Sequence, residues 1–315
     1  MANNEEDLIM KKRTWILTAA AVAALALAGC SSGSGETQAQ ATEAAGEKNE
    51  AEAASDDAKD SEAASENTQD SEAASESAAD GQSAGGTLIV GFDQEFPPMG
   101  FMADDGSYVG FDLDLAQEVA SRLGLEYKAQ PIAWDSKDME LESGNIDCIW
   151  NGFTITGRED DYEWTEPYMD NAQVFVVNGD SGIASLADLA GKVVECQADS
   201  SALAALNEDQ ELTATFSQLL TTADYNTALM DLEQGAADAV AMDVVVASYQ
   251  IQQRDADFVI LDESLSTEAY AVGFKKGNTE LRDQVQKTLE EMAEDGTLAE
   301  ISQEWFGEDL TVIGK

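Results

Sequence analysis

One short pattern occurs twice in this chain. Leu141-Glu142-Ser143-Gly144-Asn145-Ile146-Asp147 leads into the run Cys148 to Asn151, and Leu232-Glu233-Gln234-Gly235-Ala236-Ala237-Asp238 leads into Ala239 to Asp243. Each copy reads as the end of a helix, a glycine cap, an aspartate and a buried strand. The copies lie 91 residues apart, which argues for one equivalent unit in each of two similar lobes. Ligands of open α/β sheets bind beyond the carboxyl ends of the strands. The pattern therefore directs attention to Asn151–Thr154 in one copy and to Asp243 in the other.

The segment containing both copies runs from Thr87 to Lys315, 229 residues, enough for two lobes. Strand and helix signals alternate along it: Leu88 to Phe92 reads as a strand, and Asp112 to Leu123 carries Leu115, Val119 and Leu123 at helical spacing. This alternation predicts an α/β fold with mainly parallel sheets. Near the end, Leu281, Val285, Leu289 and Met292 form an apolar helical stripe stopped at Gly296, and Leu298, Ile301 and Trp305 continue a second short helix to Gly307. Cys148 and Cys196 both sit in apolar runs and are expected as free core thiols. The chain has no histidine. That excludes Ser-His-Asp and Cys-His catalysis and most transition-metal sites, and no cofactor is expected.

What precedes Thr87 is of another kind. Lys11, Lys12 and Arg13 stand before an apolar run from Trp15 to Ala28 that closes on Leu27-Ala28-Gly29-Cys30. This is the form of a secretory signal ending in a lipobox, with Cys30 as the acylated residue. A translation start at Met10 would account for the acidic residues ahead of it. From Ser31 to Gly86 the chain is mainly Ala, Ser, Glu, Asp, Gln and Gly, without an aromatic residue, and Glu-Ala-Ala-Ser recurs at Glu52, Glu62 and Glu72. Such a composition buries too little apolar surface to order itself, and it reads as an acidic tether. The net charge of the chain is −47, which argues against nucleic acid and anionic headgroups as partners. The expected division is a signal over 1–30, a tether over 31–86, a first lobe over 87–177, a second over 178–268, and a return to the first over 269–315.

Four segments carry candidate binding residues. Asp93-Gln94-Glu95-Phe96-Pro97-Pro98 follows a strand and offers a carboxylate and a ring, or serves as an ordinary turn. Trp134 stands between strand and helix, where it either stacks on a ligand or packs in the core. In Asn151-Gly152-Phe153-Thr154-Ile155-Thr156-Gly157-Arg158, Gly152 permits close backbone approach and Thr154 brings a hydroxyl. Arg158 brings a planar fork suited to a carboxylate, against the alternative of pairing with Glu159, Asp160 or Asp161. Ser200 and Ser201 open a helix whose N-terminal amides suit an anion, with simple capping as the other reading. Asp243 ends an apolar strand, where a carboxylate needs a partner such as an ammonium group. Together these groups are complementary to an α-amino-acid zwitterion.

The run Gly110-Phe111-Asp112-Leu113-Asp114-Leu115, followed by Val119-Ala120 and Leu123, resembles the signature of the family 3 solute-binding proteins of polar amino-acid ABC transporters. Asp295-Gly296-Thr297-Leu298 and Trp305-Phe306-Gly307 extend the resemblance to the end of the chain. It implies a two-lobed, type II periplasmic-binding-protein (Venus-flytrap) fold with two hinge strands, Val174 to Asn178 crossing out and Ala269 to Lys275 returning. It implies that Asp93 and Phe96 line the first lobe and that Trp134 stacks on the ligand. Thr154, Arg158 and Ser200 would hold the α-carboxylate, Asp243 the α-ammonium, and Gly152 would lend its carbonyl. The implied function is capture of a free amino acid and delivery to the permease and ATPase subunits of an importer, from the outer face of a membrane. An enzyme on the same fold and a sensory module are the alternatives. Departures from the family pattern are Gly157 directly before Arg158, Asp199 where glycine is usual, and Met242 beside Asp243.

Overall fold

The computed structural model describes residues 86–254 and 256–315, all within one compact unit. The signal, Cys30 and the tether lie outside the described residues. Among the described residues no helix is long and apolar enough to cross a membrane.

Two larger sheets are built on the same plan. In the first, Thr87–Phe92 is central, with Glu126–Pro131 parallel on one side and Cys148–Ile149 parallel on the other. Gly273–Phe274 then joins Cys148–Ile149 antiparallel, and Glu163–Trp164 closes the edge. In the second, Val193–Gln197 is central, between Gln218–Thr222 and Ala239–Asp243, both parallel to it. Met169–Asn178 joins Ala239–Asp243 antiparallel, and Phe258–Ile260 and Ser266–Tyr270 pair with its other edge. In each lobe the first strand therefore lies between the second and the third. That reversal of strand order opens a crevice at the carboxyl ends of the first and third strands.

The repeated pattern accounts for much of this plan. Lys137–Ser143 and Tyr225–Gln234 are helices capped by Gly144 (φ 76°) and Gly235 (φ 74°), a left-handed geometry that glycine adopts at little cost. The following aspartates are structural. Asp147 exchanges hydrogen bonds with Ile89, its N–H reaching the Ile89 carbonyl (2.8 Å) and its Oδ2 accepting from the Ile89 N–H (2.7 Å). Asp238 does the same with Val193 at 2.8 Å in both directions. Each aspartate thus staples the third strand of its lobe to the start of the first.

The chain passes between the sheets twice. The first crossing lies earlier than the expected boundary at 177/178: Met169–Asn178 already belongs to the second sheet, and the passage runs from Thr165 to Tyr168. Val174 to Val177 is a fully buried run inside that strand, and such a run cannot be told from a crossing strand by composition alone. The return occupies Ala271–Val272, between Ser266–Tyr270 of the second sheet and Gly273–Phe274 of the first, within the expected 269–275. The crossings are bonded together: Thr165 N–H donates to the Val272 carbonyl (3.1 Å) and Tyr168 N–H to the Tyr270 carbonyl (2.9 Å).

Leu281, Val285, Leu289 and Met292 are buried along the helix Thr279–Asp295, each side chain contributing about 1.5–3 kcal/mol by leaving water. Both cysteines are buried free thiols.

Candidate functional site

Three of the four candidate segments follow the carboxyl end of a first or third strand, and Trp134 follows the second strand of its lobe, Glu126–Pro131. Asp93 follows Thr87–Phe92, and Asn151–Thr154 follows Cys148–Ile149. Asp199–Ser201 follows Val193–Gln197, and Asp243 ends Ala239–Asp243. Asp93, Phe96, Trp134, Gly152, Thr154, Arg158, Ser200 and Asp243 consequently line one cavity of about 290 Å³, joined by Asn151, Gln197 and Ser201. A wider cavity of about 900 Å³ adjoins it, sharing Asp93 and Trp134 and lined further by Glu95, Asp135 and Asp224.

The first-lobe wall is built around Gly152. Its φ is +55°, and a Cβ there would meet the Phe96 ring at 3.0 Å and the Tyr270 ring at 3.1 Å, so only glycine fits. Its N–H donates to the buried Asp112 Oδ2 (2.5 Å), which also accepts from Tyr168 Oη (2.9 Å). Burial pushes the Asp112 carboxyl up to about 7. Asp112 stands in the signature run but was not among the candidates; it positions the loop and does not reach the cavity.

Arg158 forms no salt bridge with a carboxylate among the described residues. Its Nη1 donates to the Thr154 carbonyl (3.2 Å) and its Nη2 to the Asp199 carbonyl (3.4 Å), and the guanidinium lies over the Phe153 ring, 5.4 Å from its centroid. Glu159, Asp160 and Asp161 are not its partners. Gly157, at φ +80°, makes the turn that brings the shorter loop to this position. Trp134 lines the cavity, and its ring packs edge-on against Phe153 with centroids 5.5 Å apart.

The hydroxyls are more committed than their residue types suggested. Ser200 Oγ caps its helix by accepting from Leu203 N–H (3.1 Å) and donates to the Gln197 carbonyl (2.8 Å). Thr154 Oγ1 donates to Glu268 Oε1 (2.9 Å) and lies 3.3 Å from Ser201 Oγ. Neither hydroxyl proton is left for a ligand carboxylate.

Asp243 begins the helix Val244–Gln253 but does not cap it. Its Oδ1 instead accepts from Asn171 Nδ2 (2.8 Å), Gln173 Nε2 (2.9 Å) and Tyr270 Oη (2.6 Å). Burial, and then the neighbouring Glu268, push its carboxyl up to about 7. Burial likewise raises Asp93 to about 6, against the Glu95 N–H and Gln197 amide that it accepts.

Beside the Arg158–Asp199 contact, further side-chain contacts join the rims of the two lobes. Gln197 Nε2 donates to Asp93 Oδ2 (2.7 Å), and Asn226 Nδ2 to Glu95 Oε2 (2.6 Å). Lys137, 2% exposed, pairs with the Asp199 carboxylate and lies 5.1 Å from the centroid of the Trp134 ring. Asp199 has φ +57°, a conformation that costs a non-glycine residue roughly 1 kcal/mol, and its ion pair accounts for a side chain at that position. Lys137 and Glu268 were not singled out in the sequence, and Gln197 stood in the candidate run Gln197–Ser201 without a role of its own. Lys137 carried a signal, since basic residues are scarce in this part of the chain; Glu268 carried none.

Comparisons with known proteins bear on the family and the fold. The description of bacterial extracellular solute-binding proteins, family 3, matches residues 88–308. The L-cystine-binding protein TcyJ of Escherichia coli K12 is 32% identical over 229 residues, covering 72% of this chain and 85% of that protein. A substrate-binding protein of an ABC uptake transporter from Streptococcus pneumoniae, solved with bound histidine, superposes with a TM-score of 0.70 at 38% identity, covering 72% of this chain and 94% of the other. An ancestral amino-acid-binding protein, AncCDT-1, described as a precursor of cyclohexadienyl dehydratase, superposes with a TM-score of 0.65 at 30% identity over 70% of this chain and 96% of the other.

Proposed function

The chain belongs to the bacterial extracellular solute-binding proteins of family 3, and from that premise we propose that it captures a free polar amino acid and delivers it to an ABC importer. One observation carries the reading. Arg158, which has no carboxylate partner among the described residues, and the buried carboxylate of Asp243 line the same cavity from opposite lobes. That is one site for a carboxylate and one for an ammonium group, the two constant ends of an α-amino acid.

In this reading Arg158 holds the α-carboxylate with the main-chain N–H groups of Thr154 and Ser201, because the Thr154 and Ser200 hydroxyls are engaged elsewhere. Asp243 and the Gly152 carbonyl receive the α-ammonium. Phe96 and Trp134 flank the α-carbon, and the side chain extends past Asp93 into the wider, acidic cavity. Capture joins the rims through Gln197, Asn226 and Lys137, and the joined form engages the permease. Acylated Cys30 holds the protein to the outer face of the membrane, with residues 31–86 giving it reach.

A thermal-shift screen of L-cystine, L-histidine, L-arginine and L-glutamine tests the reading. A ligand at 100 times its Kd stabilises the native state by about 2.7 kcal/mol, so at least one should raise the melting temperature clearly. No shift with any amino acid would overturn it. The similarity to a dehydratase precursor, together with the raised Asp243 carboxyl, favours acid-base chemistry as a second reading. Ligand recovered chemically unchanged after incubation, by NMR, would remove that one.

A further inference from the structure

Behind the Asp243 wall of the cavity, outside its lining, stands a second acid. Glu268 lies on the strand Ser266–Tyr270, 9% exposed, and its Oε1 accepts from Asn171 Nδ2 (2.6 Å), Gln173 Nε2 (2.8 Å) and Thr154 Oγ1 (2.9 Å). The same two amide nitrogens donate to Asp243 Oδ1. Two buried carboxylates therefore converge on one pair of amide donors, and neither has a salt-bridge cation among the described residues. Amides are neutral; they orient the two acids without balancing their charge. Like charges held this close in a buried place favour retaining a proton.

The surrounding titratable groups do not relieve this. Tyr270 donates to Asp243, and Tyr225, Tyr168 and Cys196 stand nearby; burial raises all four, so they are neutral at physiological pH. Arg158 and Asp93 line the same cavity, and Lys137 is paired with Asp199.

We propose that Glu268 is a positioning residue of the ammonium site, and that it shares with Asp243 a proton which the ammonium group of the incoming ligand displaces. This rests on the zwitterion reading given above and deepens it. Binding then exchanges one cation for another: the ligand's ammonium settles against the Asp243–Glu268 pair and one proton passes to solvent. Capture is tighter at higher pH, because below the range in which Asp243 titrates the ligand must expel the proton. Glu268 also fixes the polarity of Thr154, whose proton points to Glu268 and whose lone pairs are left for a donor.

Titration calorimetry of the full chain with L-arginine and L-cystine, in buffers of different ionisation enthalpy between pH 5 and 7.5, tests this. Wild type is expected to release about one proton per ligand near pH 6 and to lose affinity about tenfold per pH unit below 7. Glu268→Gln keeps an acceptor for Thr154 and removes the second charge; it is expected to flatten that slope and suppress the proton release. A wild-type protein that binds without releasing protons overturns the proposal whether or not the variant folds. So does a slope that persists in Glu268→Gln and disappears instead in Asp93→Asn. Failure of the wild type to bind any of the four amino acids of the thermal-shift screen at any pH would remove the zwitterion reading, and this proposal with it.

Discussion

In the first lobe the repeated unit runs through Cys148–Ile149 to Asn151 and Gly152; in the second it runs through Ala239–Asp243 to Asp243 itself. Up to that point the copies are equivalent. Each has a helix closed by a left-handed glycine, an aspartate bonded to the first strand of its lobe, and a buried strand parallel to that first strand. Beyond it they diverge in sign. The first lobe offers Gly152, a committed Thr154 and the Arg158 guanidinium. The second offers a carboxylate, and behind it a further carboxylate. The framework decides where a group stands, and the residue just past the strand decides what it attracts.

The largest expected effect comes from erasing that divergence. Arg158→Ala and Asp243→Ala each remove one pole, and each should weaken amino-acid binding about 100-fold or more, since an unpartnered buried charge costs roughly 3–5 kcal/mol. Calorimetry on either variant reads this directly, and undiminished affinity in one of them would disprove the assignment of that pole. The framework should respond differently. Asp147→Ala and Asp238→Ala each strip a main-chain N–H of its acceptor and should lower unfolding stability by about 1–3 kcal/mol. The two losses should be similar by urea denaturation; a marked inequality would show that the copies are not equivalent.

The smallest effect belongs to the rim. Asp199→Gly relieves the positive φ and removes the partner of Lys137. Ligand dissociation followed by stopped flow should become several-fold faster, and unfolding stability should fall, because the buried Lys137 loses its charge partner. An unchanged dissociation rate would deny the ion pair any part in holding the rims together.

The copies were legible because their signals are local. A glycine cap, an aspartate and an apolar run within about ten residues report a backbone path. Asp93, Arg158 and Asp243 were legible for a related reason, since each stands just past a strand or closes the loop that follows one. Glu268 was not, because its partners Asn171 and Thr154 lie 97 and 114 residues away in the chain. The pairing of Ser266–Tyr270 with Met169–Asn178 brings Asn171 to Glu268, and the bridge between Thr154 and Tyr270 brings Thr154. The engaged states of Ser200 and Thr154 were hidden likewise: a hydroxyl is visible in a sequence, but the acceptor that takes its proton is not. The earlier crossing was masked by Val174 to Val177, whose uniform burial in a sheet interior reads like a connection between lobes.

Tyr270 touches both lobes. It pairs with Met169 in the second sheet and makes an isolated bridge to Thr154 of the first lobe, and its hydroxyl reaches Asp243. A rotation of one lobe on the other turns about these crossings, so groups beside them travel little while groups at the rims sweep through the longer arc. In the proposed binding mode the ammonium end of a ligand is thus met near the pivot, and the rim contacts act at the end of the lever. Changes at Asp199, Lys137 or Asn226 can therefore adjust how long a captured molecule stays without altering which chemical group is admitted.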